Sequence, residues 1–270
     1  MHKVAFIYDF DKTLSPKDMQ EFGLLDELGY ENPRDFWELV DNFARVHEMD
    51  RILAYMYVLI EKAKLKDINL NKSFLNEHGQ HITLFDGVLE WFDLINEYGR
   101  KLNLEIEHYV ISSGLKQMIL TTKIADQFKH IFACEYVYDE AGNVLWPSMA
   151  INYTMKTQFL FRINKGLFDL VDDLQVNESI PHDQRAIPFD QMIYIGDGIT
   201  DVASMSVMKD HGGYAYAIYN PEDKKSEANA LKLKAENRVD AIFASDFSWH
   251  TPLFTYMCHH LDKIAQRWAF

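Results

Sequence analysis

Three short apolar runs constrain this chain more than any other feature. Each ends abruptly in polar, reactive residues. Val4–Tyr8 (VAFIY) runs into Asp9-Phe10-Asp11, Ile106–Ile111 into Ser112-Ser113-Gly114, and Gln191–Ile195 (QMIYI) into Gly196-Asp197-Gly198. Runs of this length, apolar and partly β-branched, predict strands buried on both faces. Tyr214–Tyr219 and Ala241–Ala244 read as two more. Helical patterns separate them: Phe85–Tyr98, with Asp86 as N-cap and Gly99 as stop, then Thr157–Leu174 and Asp201–Lys209. Strands alternating with helices predict an α/β fold, a Rossmann-like parallel sheet with helices on both faces.

Residues 16–81 break the rhythm. They hold four helical patterns (Asp18–Leu28, Pro33–Val46, Asp50–Lys64, Asn71–His78) and no strand. The expected organisation is an α/β core of residues 1–15 and 82–270, with an α-helical module of residues 16–81 inserted after the first strand. Phe36, Trp37, Tyr55 and Tyr57 read as the core of that module, and Arg34, Arg45 and Arg51 as surface residues, with a carboxylate of a ligand as their alternative partner. Glu135–Asn152 alternates around the turn signal Asp139–Asn143 and predicts a β-hairpin.

In open parallel sheets, ligands sit beyond the carboxyl ends of the strands. The three polar tails therefore converge on one rim. Residues two apart on a strand point the same way, so Asp9 and Asp11 both face the crevice while Phe10 packs away. Two bare carboxylates so close repel each other, and a divalent cation relieves the repulsion. Asp197 directly follows a buried strand, where an unpaired carboxylate is costly. A cation shared with Asp9 satisfies both. Asp201 is placed either to cap the next helix or to support that cation. Ser112, with Ser113 and Gly114 in the turn, offers a hydroxyl and N–H groups to an anionic oxygen. Lys156, where a strand-like segment gives way to helix, is the favoured phosphate-binding lysine; Lys165, followed by Gly166, is its rival.

Composition narrows the partners. The net charge of −14 argues against nucleic acid or an anionic membrane surface. Two widely spaced cysteines, Cys134 and Cys258, predict free thiols rather than a disulfide or zinc site. No secretory leader or membrane-length apolar stretch is evident, so a reducing cytoplasm is expected. The sequence sets no oligomeric state.

Four motifs in order, DFDKT at 9–13, VISS at 110–113, Lys156 and GDGITD at 196–201, resemble the haloacid dehalogenase superfamily of phosphohydrolases. The layout, with its helical insertion between the first two motifs, is similar to phosphoserine phosphatase and its relatives. The resemblance implies a Mg²⁺-dependent phosphatase acting on a small phosphorylated metabolite. It makes Asp9 the nucleophile and Asp11 the general acid and base. Ser112 and the lysine would hold the phosphoryl oxygens. The metal would rest on Asp9, the Asp11 carbonyl and Asp197, with Asp201 in support. Asp18 falls near the family's amine-binding acid, and the insertion would be a mobile cap. A phosphotransferase using the same site, or a phospho-accepting receiver-like domain, are the alternatives.

Overall fold

The computed structural model describes residues 1–171 and 174–268. Its centre is a seven-stranded sheet in the order β4-β3-β2-β1-β5-β6-β7. The strands are β1 (His2–Tyr8), β2 (Leu104–Leu115), β3 (His130–Tyr138), β4 (Val144–Met149), β5 (Met192–Gly196), β6 (Tyr214–Tyr219) and β7 (Ala241–Ala244). All neighbours pair parallel except β3 and β4, which form the antiparallel hairpin expected from Asp139–Asn143. Val4, Ala5, Phe6, Ile7 and Tyr8 are all fully buried. Side chains alternate across a strand, so both faces of β1 are covered by helices.

The register of the central strands positions the rim. Tyr8 pairs with Val110 on one side and Ile195 on the other. The chain leaves β1 with Asp9 N–H on the Ile195 carbonyl at 2.9 Å. One or two residues further along, Asp9, Ser112 and Asp197 therefore emerge at nearly one level.

Residues 16–81 contribute no strand to the sheet. Three helices match the sequence pattern closely: Pro33–Val46, Arg51–Leu65 and Lys72–Gln80. Asn32, Asp50 and Asn71 cap them through side-chain oxygens. The expected helix Asp18–Leu28 is instead a 3₁₀ turn, Met19–Glu21, and a short helix, Leu24–Glu27. Gly23, with φ of 94°, separates them. The module leans on the hairpin. Tyr136 Oη donates to the Met56 carbonyl at 2.9 Å, and Asn152 donates to Asp50.

Two expected boundaries differ. The helix after the module is Val88–Lys101, with Gly87 rather than Asp86 at its N-cap and Gly99 inside it. Gly99 does not stop the helix. It packs where a Cβ would lie 2.5 Å from Ile106 Cγ1, so its smallness lets the helix approach β2. The helix predicted for Thr157–Leu174 is Lys156–Lys165, stopped by Gly166 in the left-handed region at φ 73°.

Candidate active site

A cavity of about 340 Å³ opens at the carboxyl rim, between the sheet and the helical module. From the core it is lined by Asp9, Asp11, Lys12, Ser112, Ser113, Tyr153, Lys156, Asp197 and Thr200. The module contributes Asp18, Gln20, Trp37, Arg51, Ile52 and Tyr55.

Lys156 organises the floor. It begins the helix Lys156–Lys165 and is 1% exposed. Its Nζ lies 2.9 Å from Asp9 Oδ1 and 2.8 Å from Asp201 Oδ1. Burial pulls the lysine pKa down, but Asp201 and Asp9 outweigh it and leave the ammonium held above its usual value. Lys165 sits elsewhere, with Nζ on the carbonyls of Val176 and Glu178.

Asp9 is buried. Its Oδ1 accepts from the Phe10 N–H at 2.8 Å as well as from Lys156. Burial, then the charge of Asp201, raises its pKa to about 7 against the pull of Lys156. Asp11 is partly buried and accepts from the Met19 N–H through Oδ1 at 2.9 Å. Burial, then Asp18 and Asp9, holds its carboxyl well above the ordinary range. A shift in this direction favours the protonated form, the form that can donate a proton.

One oxygen each from Asp9, Asp197 and Asp201 lie within 4.8 Å of one another. Burial, then Asp201 and Asp9, pushes the Asp197 carboxyl well up. Asp201 is fully buried, yet its Oδ2 has no partner among the described residues. It stands at the N-cap of the helix Val202–Asp210, but its side chain makes no capping bond. Instead Oδ1 accepts from both Lys156 and the Tyr194 hydroxyl. An unpartnered buried carboxylate oxygen beside two further carboxylates fits a hard cation with oxygen ligands.

The segment expected to turn after Ile111 differs: Ser112, Ser113 and Gly114 lie within β2, which runs on to Leu115 with its pairing to β3 irregular between Ile111 and Leu115. Ser112 is fully buried and lines the cavity, but its Oγ accepts from the Gly114 N–H at 2.9 Å. The Gly114 amide is therefore engaged and is not offered to a ligand. The residue serves packing: a Cβ there would lie 2.1 Å from Met19 Cε and 3.0 Å from Asp11 Oδ2. Ser113 lines the cavity while its Oγ donates to the Ile151 carbonyl. Asp18 also reaches the cavity, ion-paired to Lys12 at 2.7 Å.

Trp37, Arg51 and Tyr55, read above as module core and surface, line the cavity. Arg51 packs over the Trp37 ring at 5.2 Å and its Nε donates to Asp41. Helical periodicity shows which face of a helix is apolar, not what that face meets. Lys12, Tyr153 and Thr200 were also missed, and so was Tyr194, whose only sequence signal was a hydroxyl inside an apolar strand just before Gly196.

No family model matches this chain. An uncharacterized protein of Borreliella burgdorferi is 29% identical over 291 residues, covering 97% of this chain and 96% of that protein. Among solved structures, a HAD family hydrolase from Salmonella enterica serovar Typhi aligns at a TM-score of 0.57 and 17% identity. That alignment covers 94% of this chain and 69% of the other. A phosphoserine phosphatase, solved as a phospho-aspartyl intermediate analogue, aligns at 0.53 and 15%, covering 90% and 94%. The chain has the haloacid dehalogenase hydrolase fold. A probable phosphoserine phosphatase from Vibrio cholerae shares this fold at a TM-score of 0.57 and 12% identity, over 99% of this chain and 67% of that one. Within the haloacid dehalogenase fold, the acidic cluster lies where β1 and β5 end.

Proposed function

We propose that the protein is a Mg²⁺-dependent phosphatase that hydrolyses a small phosphomonoester in the cytoplasm through an aspartyl-phosphate on Asp9. The observation that carries this reading is the buried Asp9–Lys156–Asp201 ion cluster opening into a cavity that also holds Asp11 and Ser112. Burying three charges costs several kcal/mol per ion, roughly, before pairing offsets it. A fold that needed only stability would fill the space with apolar side chains.

Asp9 attacks phosphorus with a carboxylate oxygen. The bond from phosphorus to the substrate oxygen breaks, and Asp11 delivers its proton to that leaving oxygen. Asp11, now a carboxylate, takes a proton from water. That water attacks phosphorus, releases inorganic phosphate and regenerates Asp9. The Lys156 ammonium and the Ser112 hydroxyl hold the equatorial oxygens as charge spreads over them. Asp9, the Asp11 main-chain carbonyl and Asp197 would hold Mg²⁺, with Asp201 in support. Its charge would offset the repulsion between the attacking carboxylate and the phosphoryl group.

Residues 16–81 act as a cap that closes over the cleft and chooses the substrate. Asp18, Gln20, Trp37 and Arg51 lie on its cavity face. The net charge of −14 favours a small metabolite over nucleic acid. Among the described residues no helix is long and apolar enough to cross a membrane.

The test is phosphate release from p-nitrophenyl phosphate with Mg²⁺, followed by a screen of phosphorylated metabolites. Asp9→Asn should abolish turnover while the protein stays folded, and EDTA should stop the wild type. Turnover by Asp9→Asn at the wild-type rate overturns the assignment.

A further inference from the structure

Tyr194 stands in the middle of β5, a strand whose five residues are all buried, and its ring is 0% exposed. A phenylalanine would fill that space as well. The hydroxyl is the only one in the strand, and a buried tyrosine oxygen must find a partner. It donates to Asp201 Oδ1 at 2.7 Å, the same oxygen that takes Lys156 Nζ at 2.8 Å. Both donors thus fall on one oxygen, and the other, Oδ2, is left buried with no partner among the described residues. The backbone enforces the same choice from the other side. A Cβ at Gly196 would lie 2.4 Å from Oδ2, so the missing side chain is what admits the carboxylate in this orientation.

From this arrangement we infer that Tyr194 is a positioning residue for the divalent cation, fixing Asp201 so that its unpartnered oxygen is kept for the ion. The inference rests on the metal-dependent reading above. Tyr194 acts through Asp201 and touches neither the ion nor the substrate. Lys156 cannot hold Asp201 alone, because its ammonium is shared with Asp9 at 2.9 Å and is the group assigned to the phosphoryl oxygens. Tyr194 has two side-chain torsions on a central strand, and nothing in the reaction calls its hydroxyl away. Partners of this kind, behind a ligating group, orient the ligand, and losing one typically weakens metal binding by about 10- to 100-fold.

The experiment titrates the full chain with Mn²⁺, without substrate, and counts free ion by its electron paramagnetic resonance signal. Tyr194→Phe should bind Mn²⁺ about 10- to 100-fold more weakly than wild type. Tyr216→Phe is the control. It removes an equally buried hydroxyl on the neighbouring strand, paired 2.9 Å from His260 Nδ1, and should leave the affinity unchanged. The Tyr194→Phe and Asp201→Asn effects should not add, since one acts through the other. Wild-type affinity in Tyr194→Phe, an equal loss in Tyr216→Phe, or additive effects would each overturn the inference while leaving the metal site standing. Wild-type protein that binds no Mn²⁺ would instead overturn the metal-dependent reading, and this inference with it.

Discussion

Replacing Lys156 with alanine removes the cation that two buried carboxylates, Asp9 and Asp201, share. In the wild type its Nζ is 2.9 Å from Asp9 and 2.8 Å from Asp201, with Asp197 beside them. Lys156 is 1% exposed, so in the wild type water screens its pairing with the carboxylates only weakly. Breaking a buried pair by deleting one partner typically costs about 3–5 kcal/mol, because an uncompensated charge stays behind. For a chain of this size each kcal/mol moves the melting temperature by about 2–4 °C, giving an expected drop of about 6–20 °C. The assay is thermal unfolding in EDTA, where no added cation can substitute. Lys165→Ala is the comparison, since Lys165 meets backbone carbonyls at the surface. Adding Asp201→Asn to Lys156→Ala should recover part of the loss, because it removes one stranded charge. A Lys156→Ala protein that melts within about 2 °C of wild type, a deficit under about 1 kcal/mol, would refute the claim that this lysine neutralises the cluster. In activity the same variant should lose about 10²- to 10³-fold, as for other removed donors to a charged transition state.

Asp11→Asn should form phosphoenzyme but release phosphate slowly, which acid-quenched labelling with ³²P-phosphorylated substrate would reveal; rapid turnover would remove Asp11 from the proton transfers. Met19→Pro deletes the N–H that holds Asp11, and Asp18, at φ −62° and ψ 136°, already has the backbone that precedes a proline. Against Met19→Ala, which keeps the donor, it should hydrolyse alkyl phosphates about 10-fold more slowly and p-nitrophenyl phosphate at a similar rate, because only the poor leaving group needs the proton. Burial lowers the His108 pKa to about 3, while in the unfolded chain it titrates near the ordinary value of about 6.5. As pH falls below that value the unfolded state alone binds the proton, so stability should drop by about 1.4 kcal/mol per pH unit towards pH 3. The slope of unfolding free energy between pH 6 and 4 should be one proton smaller in His108→Gln; equal slopes would show that His108 is protonated in the native state.

The sequence alone determined the alternation of the central strands with helices, the β3–β4 hairpin, three helices of residues 16–81 and the residues where β1, β2 and β5 meet the rim, but not the helices Lys224–Ala235 and Pro252–Gln266. Local rules suffice there: strands of four to six apolar residues cannot be solvated, and Asn32, Asp50 and Asn71 cap helices through their own backbone neighbourhood. It also pointed to Asp9, Asp11, Ser112 and Asp197, because chemistry-bearing residues at strand ends share a rim in any parallel sheet, and to Lys156 and Asp201 at the starts of the helices that follow. Only the tertiary structure shows that Lys156, and not Lys165, meets the carboxylates at the rim. Both are lysines on one helix, and what differs is the depth at which each meets carboxylates brought from residues 9 and 201. The same holds for Gly99 and Gly114, where the sequence shows a turn-forming residue and the fold uses a missing Cβ for close packing. Tyr194 belongs to this class as well. Its partner lies seven residues away across a turn, and no periodicity records a hydroxyl whose purpose is set by which oxygen of Asp201 it occupies.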